Sequence, residues 1–401
     1  MSEQDVRKGR AWRRPMGPRD PRQGHRQATF LELFFDLCFV VAVAHAASQL
    51  HHALAEGHVT AGVVSYLTVF FAIWWAWMNF TWLSSAYDND DVPFRLATLL
   101  QITGALILAA GVESAFREGA FDLIFYGYAV MRAGLVALWL RAAVHDPERR
   151  ATTLRYAAGV TVAMVGWSIM LVSGHWPLWG WWLMAGVELT VPVWAERAGR
   201  TPWHPGHIAE RYGLFTIIVL GESVLAATIA VQTAIGGGAG PGNEGPLVGV
   251  TAGGLLVLFS LWWLYFAKPA EHFLTSSRVA FVWGYGHYFI FAAAAAVGAG
   301  LAVNVDYATG HVALSQVGTR ATLTVPVAVY LSALWILHLR PSVTGGAGSL
   351  LYPVAAGAIL AATFGPSPVL VAGLLCAGLV VATGVTASGE AHVAVTSQPP
   401  T

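Results

Sequence analysis

Twelve long apolar runs, separated by short polar breaks, constrain this chain more than any other feature. Their approximate limits are 31–50, 62–84, 94–114, 121–142, 153–173, 178–195, 208–233, 247–267, 279–301, 320–339, 349–364 and 367–386. A helix needs about 20 mostly apolar residues to cross a hydrocarbon core about 30 Å thick. The runs predict an all-α, polytopic membrane protein with about twelve transmembrane helices. Run 349–364 is short and Pro-flanked, so a tilted or re-entrant piece stays open there. Residues 236–246 are a Gly- and Pro-rich stretch that reads as a flexible loop.

Charged residues make up only 11% of the chain, against about 25% in soluble domains. The zero net charge hides an asymmetry, because eight of the 22 Lys and Arg residues precede Phe30. With Pro15, Pro18 and Pro21 among them, residues 1–29 have too few apolar groups to fold alone and are expected to form a disordered cytoplasmic tail. Such a tail anchors topology and can touch anionic lipid. No folded basic module follows it, which argues against a nucleic-acid partner. The first apolar run is too long for a cleaved leader and carries Glu32 and Asp36, so it reads as a retained helix. With the N-terminus cytoplasmic, nineteen Lys and Arg residues fall inside and two, Arg117 and Arg320, fall outside. That partition satisfies the positive-inside rule with both termini inside. Residues 387–401 read as a disordered C-terminal tail. The only cysteines, Cys38 and Cys376, supply neither a disulfide framework nor a thiol metal cluster, and no cofactor is expected.

The halves 30–196 and 197–386 resemble each other. Glu32 and Glu210 open the first and seventh runs, Trp74-Trp75 matches Trp262-Trp263, and Arg95 and Arg278 precede the third and ninth. Six helices per half is even, which implies parallel repeats about an axis along the membrane normal.

The intramembrane charges are the candidate functional residues. A charge at mid-membrane costs about 2.5–3.5 kcal/mol on insertion scales, so such residues default to a functional hypothesis. Glu32 and Asp36 are four apart and share a helix face. The helix dipole favours them near an N-terminus, and a structural pairing with Arg95 or Arg278 competes with a cation or proton site. Glu210 and Arg211 point to different faces, and either can reach Asp36 or Glu32. Glu222 lies within about 20° of the Arg211 face and roughly 16 Å deeper. It must be protonated, paired or facing a wet cavity. Gly221 beside it would let a helix or ion approach, and Ser223 is expected to bond back to its own helix. Arg132 and Glu188 are also deep, and a mutual pair is the economical arrangement. His45 and His287 are weaker candidates, read first as packing residues. No three-ligand zinc spacing occurs. The clusters at Trp74-Trp75-Trp77, Trp179-Trp181-Trp182 and Trp262-Trp263 read as interfacial anchors and packing.

Two segments resemble the signatures of the bacterial low-temperature-requirement A (LtrA) family. The first is Glu32-Leu-Phe-Phe-Asp36-Leu-Cys-Phe-Val, and the second is Glu210-Arg-Tyr-Gly213-Leu-Phe-Thr-Ile-Ile-Val-Leu-Gly221-Glu222-Ser223. The resemblance spans roughly residues 28–385 and implies a multi-pass bacterial inner-membrane protein, in a family without a settled biochemical role. Three readings stay open: a transporter or channel for a small cation or solute, with proton linkage; an intramembrane enzyme or lipid-handling protein; and a non-catalytic membrane sensor or assembly factor. The bilayer is the partner common to all three.

Overall fold

The computed structural model describes residues 12–21, 23–24, 26–235, 244–339 and 350–396. Residues 236–243 of the Gly-rich loop, Arg340 and residues 397–401 lie outside the described residues. Thirteen α-helices run through the described chain: α1 (Phe30–Ala55), α2 (Val59–Tyr87), α3 (Val92–Ala110), α4 (Val112–Arg117), α5 (Asp122–His145), α6 (Arg150–Ser173), α7 (Leu178–Glu196), α8 (Pro205–Ile235), α9 (Glu244–Phe266), α10 (Ser277–Ala308), α11 (Gln316–Leu334), α12 (Leu351–Ala362) and α13 (Pro368–Thr396). A π-helical turn, Trp335–Leu339, extends α11, and no strand occurs among the described residues.

Each of the twelve apolar runs lies on helix. Ten helical stretches are long and apolar enough to cross a membrane among the described residues, α3 and α4 counting together. The remaining two runs are α7 and α12. Four tryptophans and two glutamates dilute the apolar character of α7, and α12 has only 12 residues.

The chain divides into two compact units. Unit 1 comprises Met1–Ala46 and Val64–Phe215, and unit 2 comprises Ala47–Val63 and Thr216–Thr401. In unit 1, α3 and α5 approach until their backbones touch. A Cβ added at Gly104 would lie 2.5 Å from the Gly127 carbonyl oxygen. Small residues at such a crossing permit dispersion contacts that lipid cannot replace. Next along, α5 meets α6 through Trp139 stacked on Tyr156, with ring centroids 4.2 Å apart. In unit 2, α10 meets α11 where Gly300 lies against Thr322. The Asn304 amide closes that seam, donating to the Thr319 carbonyl at 3.1 Å and the Thr322 hydroxyl at 3.3 Å.

The described part of the segment expected to be a disordered basic tail is bonded to unit 1. The Arg19 amide donates to the Ala86 carbonyl at 2.9 Å, and Met16 is fully buried. Arg26 is buried too, and its guanidinium donates to the Ser85 and Ser84 carbonyls at 2.5 and 3.1 Å. The last carbonyls of a helix have no partner within it and carry the negative end of its dipole. Arg26 therefore satisfies the C-terminus of α2, a role composition alone does not reveal. Asp91 caps the other side of this turn, accepting the Phe94 amide at 3.0 Å as the N-cap of α3.

Candidate functional site

The N-terminus of α1 is built by a reciprocal capping box. The Thr29 amide donates to Glu32 Oε2 at 2.8 Å, while the Glu32 amide donates to the Thr29 hydroxyl at 3.2 Å. This Thr-x-x-Glu pattern before an apolar run was legible in the sequence. It fixes Glu32 on the inner face of α1, with Asp36 one turn further along.

Both carboxylates are fully buried in unit 1 and converge on one guanidinium. Arg211 Nε donates to Asp36 Oδ2 at 2.9 Å and Nη2 to Oδ1 at 2.5 Å. Its Nη1 lies 3.0 Å from Glu32 Oε1. Trp77 Nε1 donates to Asp36 Oδ1 at 2.7 Å, and His207 Nε2 stands 3.3 Å from Glu32 Oε2. Of the two residues expected to reach these acids, Arg211 does so. Glu210 is half-buried, with Oε2 lacking a hydrogen-bond partner. Arg95, the other partner considered, pairs with Asp90 at the surface at 2.7 Å, and Arg278 is exposed.

A second buried pair joins α5 to α7. Arg132 Nη2 lies 3.3 Å from Glu188 Oε2, and the guanidinium covers the Tyr128 ring at 4.3 Å from its centroid. Glu188 also accepts from Trp75 Nε1 at 2.8 Å, the Tyr128 hydroxyl at 3.0 Å and Trp167 Nε1 at 3.3 Å. Buried charges are tolerable when paired and when their remaining lone pairs are bonded. Both clusters meet that condition, so their geometry is that of internal braces. The tryptophans read from sequence as anchors thus include two, Trp75 and Trp77, that donate to intramembrane carboxylates. An indole N–H is a donor only, and that chemistry was the available signal.

Unit 2 contains the one arrangement of a different kind. A cavity of about 240 Å³ is lined by Glu222, His51, Asp306, Ser48 and Thr309, with Leu225, Ile229 and several alanines completing the wall. Glu222 is half-buried on the middle of α8. His51 Nε2 contacts Asp306 Oδ2 at 2.6 Å. Gly298 of α10 is tightly packed against Ser223, where an added Cβ would lie 2.8 Å from the hydroxyl oxygen. That hydroxyl donates to the Ala294 carbonyl at 3.0 Å, a bond across to α10 and so a correction to the local bond expected. Gly221 is exposed, with nothing near where a side chain would sit. The sequence pointed to Glu222 but not to Asp306, which lies 84 residues further along the chain.

The histidine candidates separate. His287 is buried in unit 2, its Nδ1 at 2.7 Å from the Trp283 carbonyl and its Nε2 at 3.0 Å from the Tyr265 hydroxyl. That is the arrangement of a hydrogen-bonded packing residue. His45 is exposed on α1. Among the described residues no group of three or more His, Cys, Asp or Glu side chains is placed to hold a metal ion.

The description "Bacterial low temperature requirement A protein (LtrA)" matches residues 27–385. The chain is also 29% identical over 279 residues to Uncharacterized protein RA0937 of Rhizobium meliloti (strain 1021). That alignment covers 65% of this chain and 65% of the relative, less than two thirds of the relative's own length. No solved structure matches the chain. Both signature segments, the braced acids on α1 and the Arg211–Glu222 stretch of α8, fall within the matched range, and the chain belongs to the LtrA family of bacterial membrane proteins.

Proposed function

We propose that this protein is a transporter or channel for a small cation or solute, linked to protons, with the Glu222 cavity of unit 2 as its polar centre. The observation that carries the reading is a carboxylate midway along an apolar helix, lining a cavity of about 240 Å³ with His51 and Asp306. An ionisable side chain at that depth is expensive unless it faces a wet or charged site. Asp36, the other leading candidate, is fully enclosed by Arg211 and Trp77, so the pathway passes to Glu222. The compensated acids of unit 1 favour a structural or sensing role for that unit.

In this reading the chain crosses a bacterial inner membrane twelve times, with both termini cytoplasmic and two parallel six-helix repeats over 30–196 and 197–386. The Lys and Arg partition supports the orientation. At 1.5 Å per residue, the 19 residues of α7 rise roughly 28 Å, enough for a crossing. The 12 residues of α12 rise only roughly 18 Å, so its crossing needs a tilt and help from its flanks.

The test is flux through purified protein in liposomes. Wild type is expected to dissipate a proton or monovalent-cation gradient, and Glu222→Gln to abolish this while keeping its melting temperature. Equal flux in wild type and Glu222→Gln would end the proposal.

A further inference from the structure

The cavity of unit 2 also carries information about what it holds. At about 240 Å³ it exceeds the roughly 150 Å³ that accepts benzene in an engineered protein core. Its wall is mainly apolar, with Leu225 and Ile229 from α8 and Ala295, Ala299 and Ala302 from α10. The oxygens offered by side chains are few: Glu222, Asp306, Ser48 and Thr309. Hard metal cations take about six to eight oxygen ligands, and this lining does not supply them. The charges are nonetheless biased. Two carboxylates face one histidine, and His51 is engaged with Asp306 at 2.6 Å. Even with His51 protonated, the ionised lining is anionic by one charge, that of Glu222.

We infer that the ligand of this cavity is a small primary alkylammonium ion, its charged head at Glu222 and its hydrocarbon stem along the α8 and α10 wall. An ammonium offers three N–H donors, and one strong ionic contact with an apolar stem suits this lining better than a bare ion does. The inference rests on the cation pathway proposed for Glu222, naming its substrate class.

The experiment is isothermal titration of the full-length protein in detergent with propylammonium chloride. Potassium chloride, sodium chloride and neutral propanol are run at matched ionic strength. Saturable binding of propylammonium alone is expected, weakened about tenfold or more by Glu222→Gln, the loss that one charge-assisted contact predicts. Ala302→Leu, which fills the wall and leaves the carboxylate, is expected to weaken it as well, and this arm decides the matter if Glu222→Gln fails to fold. Propanol binding as well as propylammonium, titration by potassium or sodium instead, or propylammonium binding unchanged in both variants would overturn the inference. The liposome assay separates the two claims. Glu222-dependent ion flux without propylammonium binding overturns the ligand class and leaves the pathway standing. Propylammonium binding lost in Glu222→Gln, with no flux of any probe, upholds the ligand and overturns the pathway.

Discussion

Arg211 holds Asp36 with two nitrogens, Nε on Oδ2 at 2.9 Å and Nη2 on Oδ1 at 2.5 Å, across 175 residues of sequence. Its third nitrogen reaches Glu32 at 3.0 Å. One cation thereby compensates two buried acids contributed by the opening turns of α1.

Removing that cation leaves both acids buried without their charge partner. Breaking a buried pair from one side typically costs about 3–5 kcal/mol. Arg211→Met is therefore expected to lower the melting temperature sharply, followed by intrinsic tryptophan fluorescence in detergent. Residues in one network are non-additive by about 0.5–3 kcal/mol. The double variant Asp36→Asn with Arg211→Met should consequently lose less than the two single losses combined. Strict additivity would show that the contact is energetically idle.

The turn between α2 and α3 carries two carboxylates with opposite pH behaviour. Burial, joined by the negative charge of Glu32, pushes Asp88 up from 3.8 to about 6 against the nearby Arg26. Its contribution to stability is fully present below 3.8 and is lost as pH rises through about 6. Burial also presses on Asp91, but hydrogen bonds from Arg141 and from the Arg14 and Phe94 amides outweigh it and hold Asp91 below its ordinary value. The Asp91 contribution is present above 3.8 and is lost as pH falls through that lowered value. Melting temperatures across the acid range should show Asp88→Asn flattening the decline toward pH 6 and Asp91→Asn removing the loss at the acid end. A wild-type profile flat across the whole range would contradict both assignments.

The crossing of α3 and α5 admits no side chain at Gly104 or Gly127. A Cβ at Gly127 would overlap the Gly104 carbonyl oxygen and the backbone of Leu108. Overpacking of this kind typically costs about 1–3 kcal/mol, so Gly127→Ala should melt earlier than wild type. Gly186 on α7 is exposed, with nothing within 4 Å of an added Cβ. Gly186→Ala should be neutral or stabilising, because alanine is the better helix former by about 1 kcal/mol. A loss at Gly186 equal to that at Gly127 would rule out the packing explanation.

Much of this architecture was legible without coordinates, because apolar run length and backbone hydrogen bonding leave a membrane segment few alternatives to helix. The runs around Trp74, Phe215 and Ala294 became helices for that reason, and Thr29-x-x-Glu32 announced where α1 begins. The two signature segments identified the family, and the depth of Glu222 followed from helical rise alone. What the sequence by itself determined was therefore the class of fold, the family and the list of expensive charges. Which charge meets which was decided only in three dimensions. Helical spacing places residues on a face of their own helix, but the rotation and neighbours of that helix come from packing at contacts such as Gly104–Gly127 and Gly300–Thr322. That packing gave Asp36 to Arg211 and Trp77, gave Glu188 to Arg132 and Trp75, and left Glu222 lining a cavity with His51 and Asp306. Charges equally costly by sequence thus became braces in unit 1 and a candidate site in unit 2, because only tertiary contacts determine whether a buried carboxylate meets a cation or a cavity.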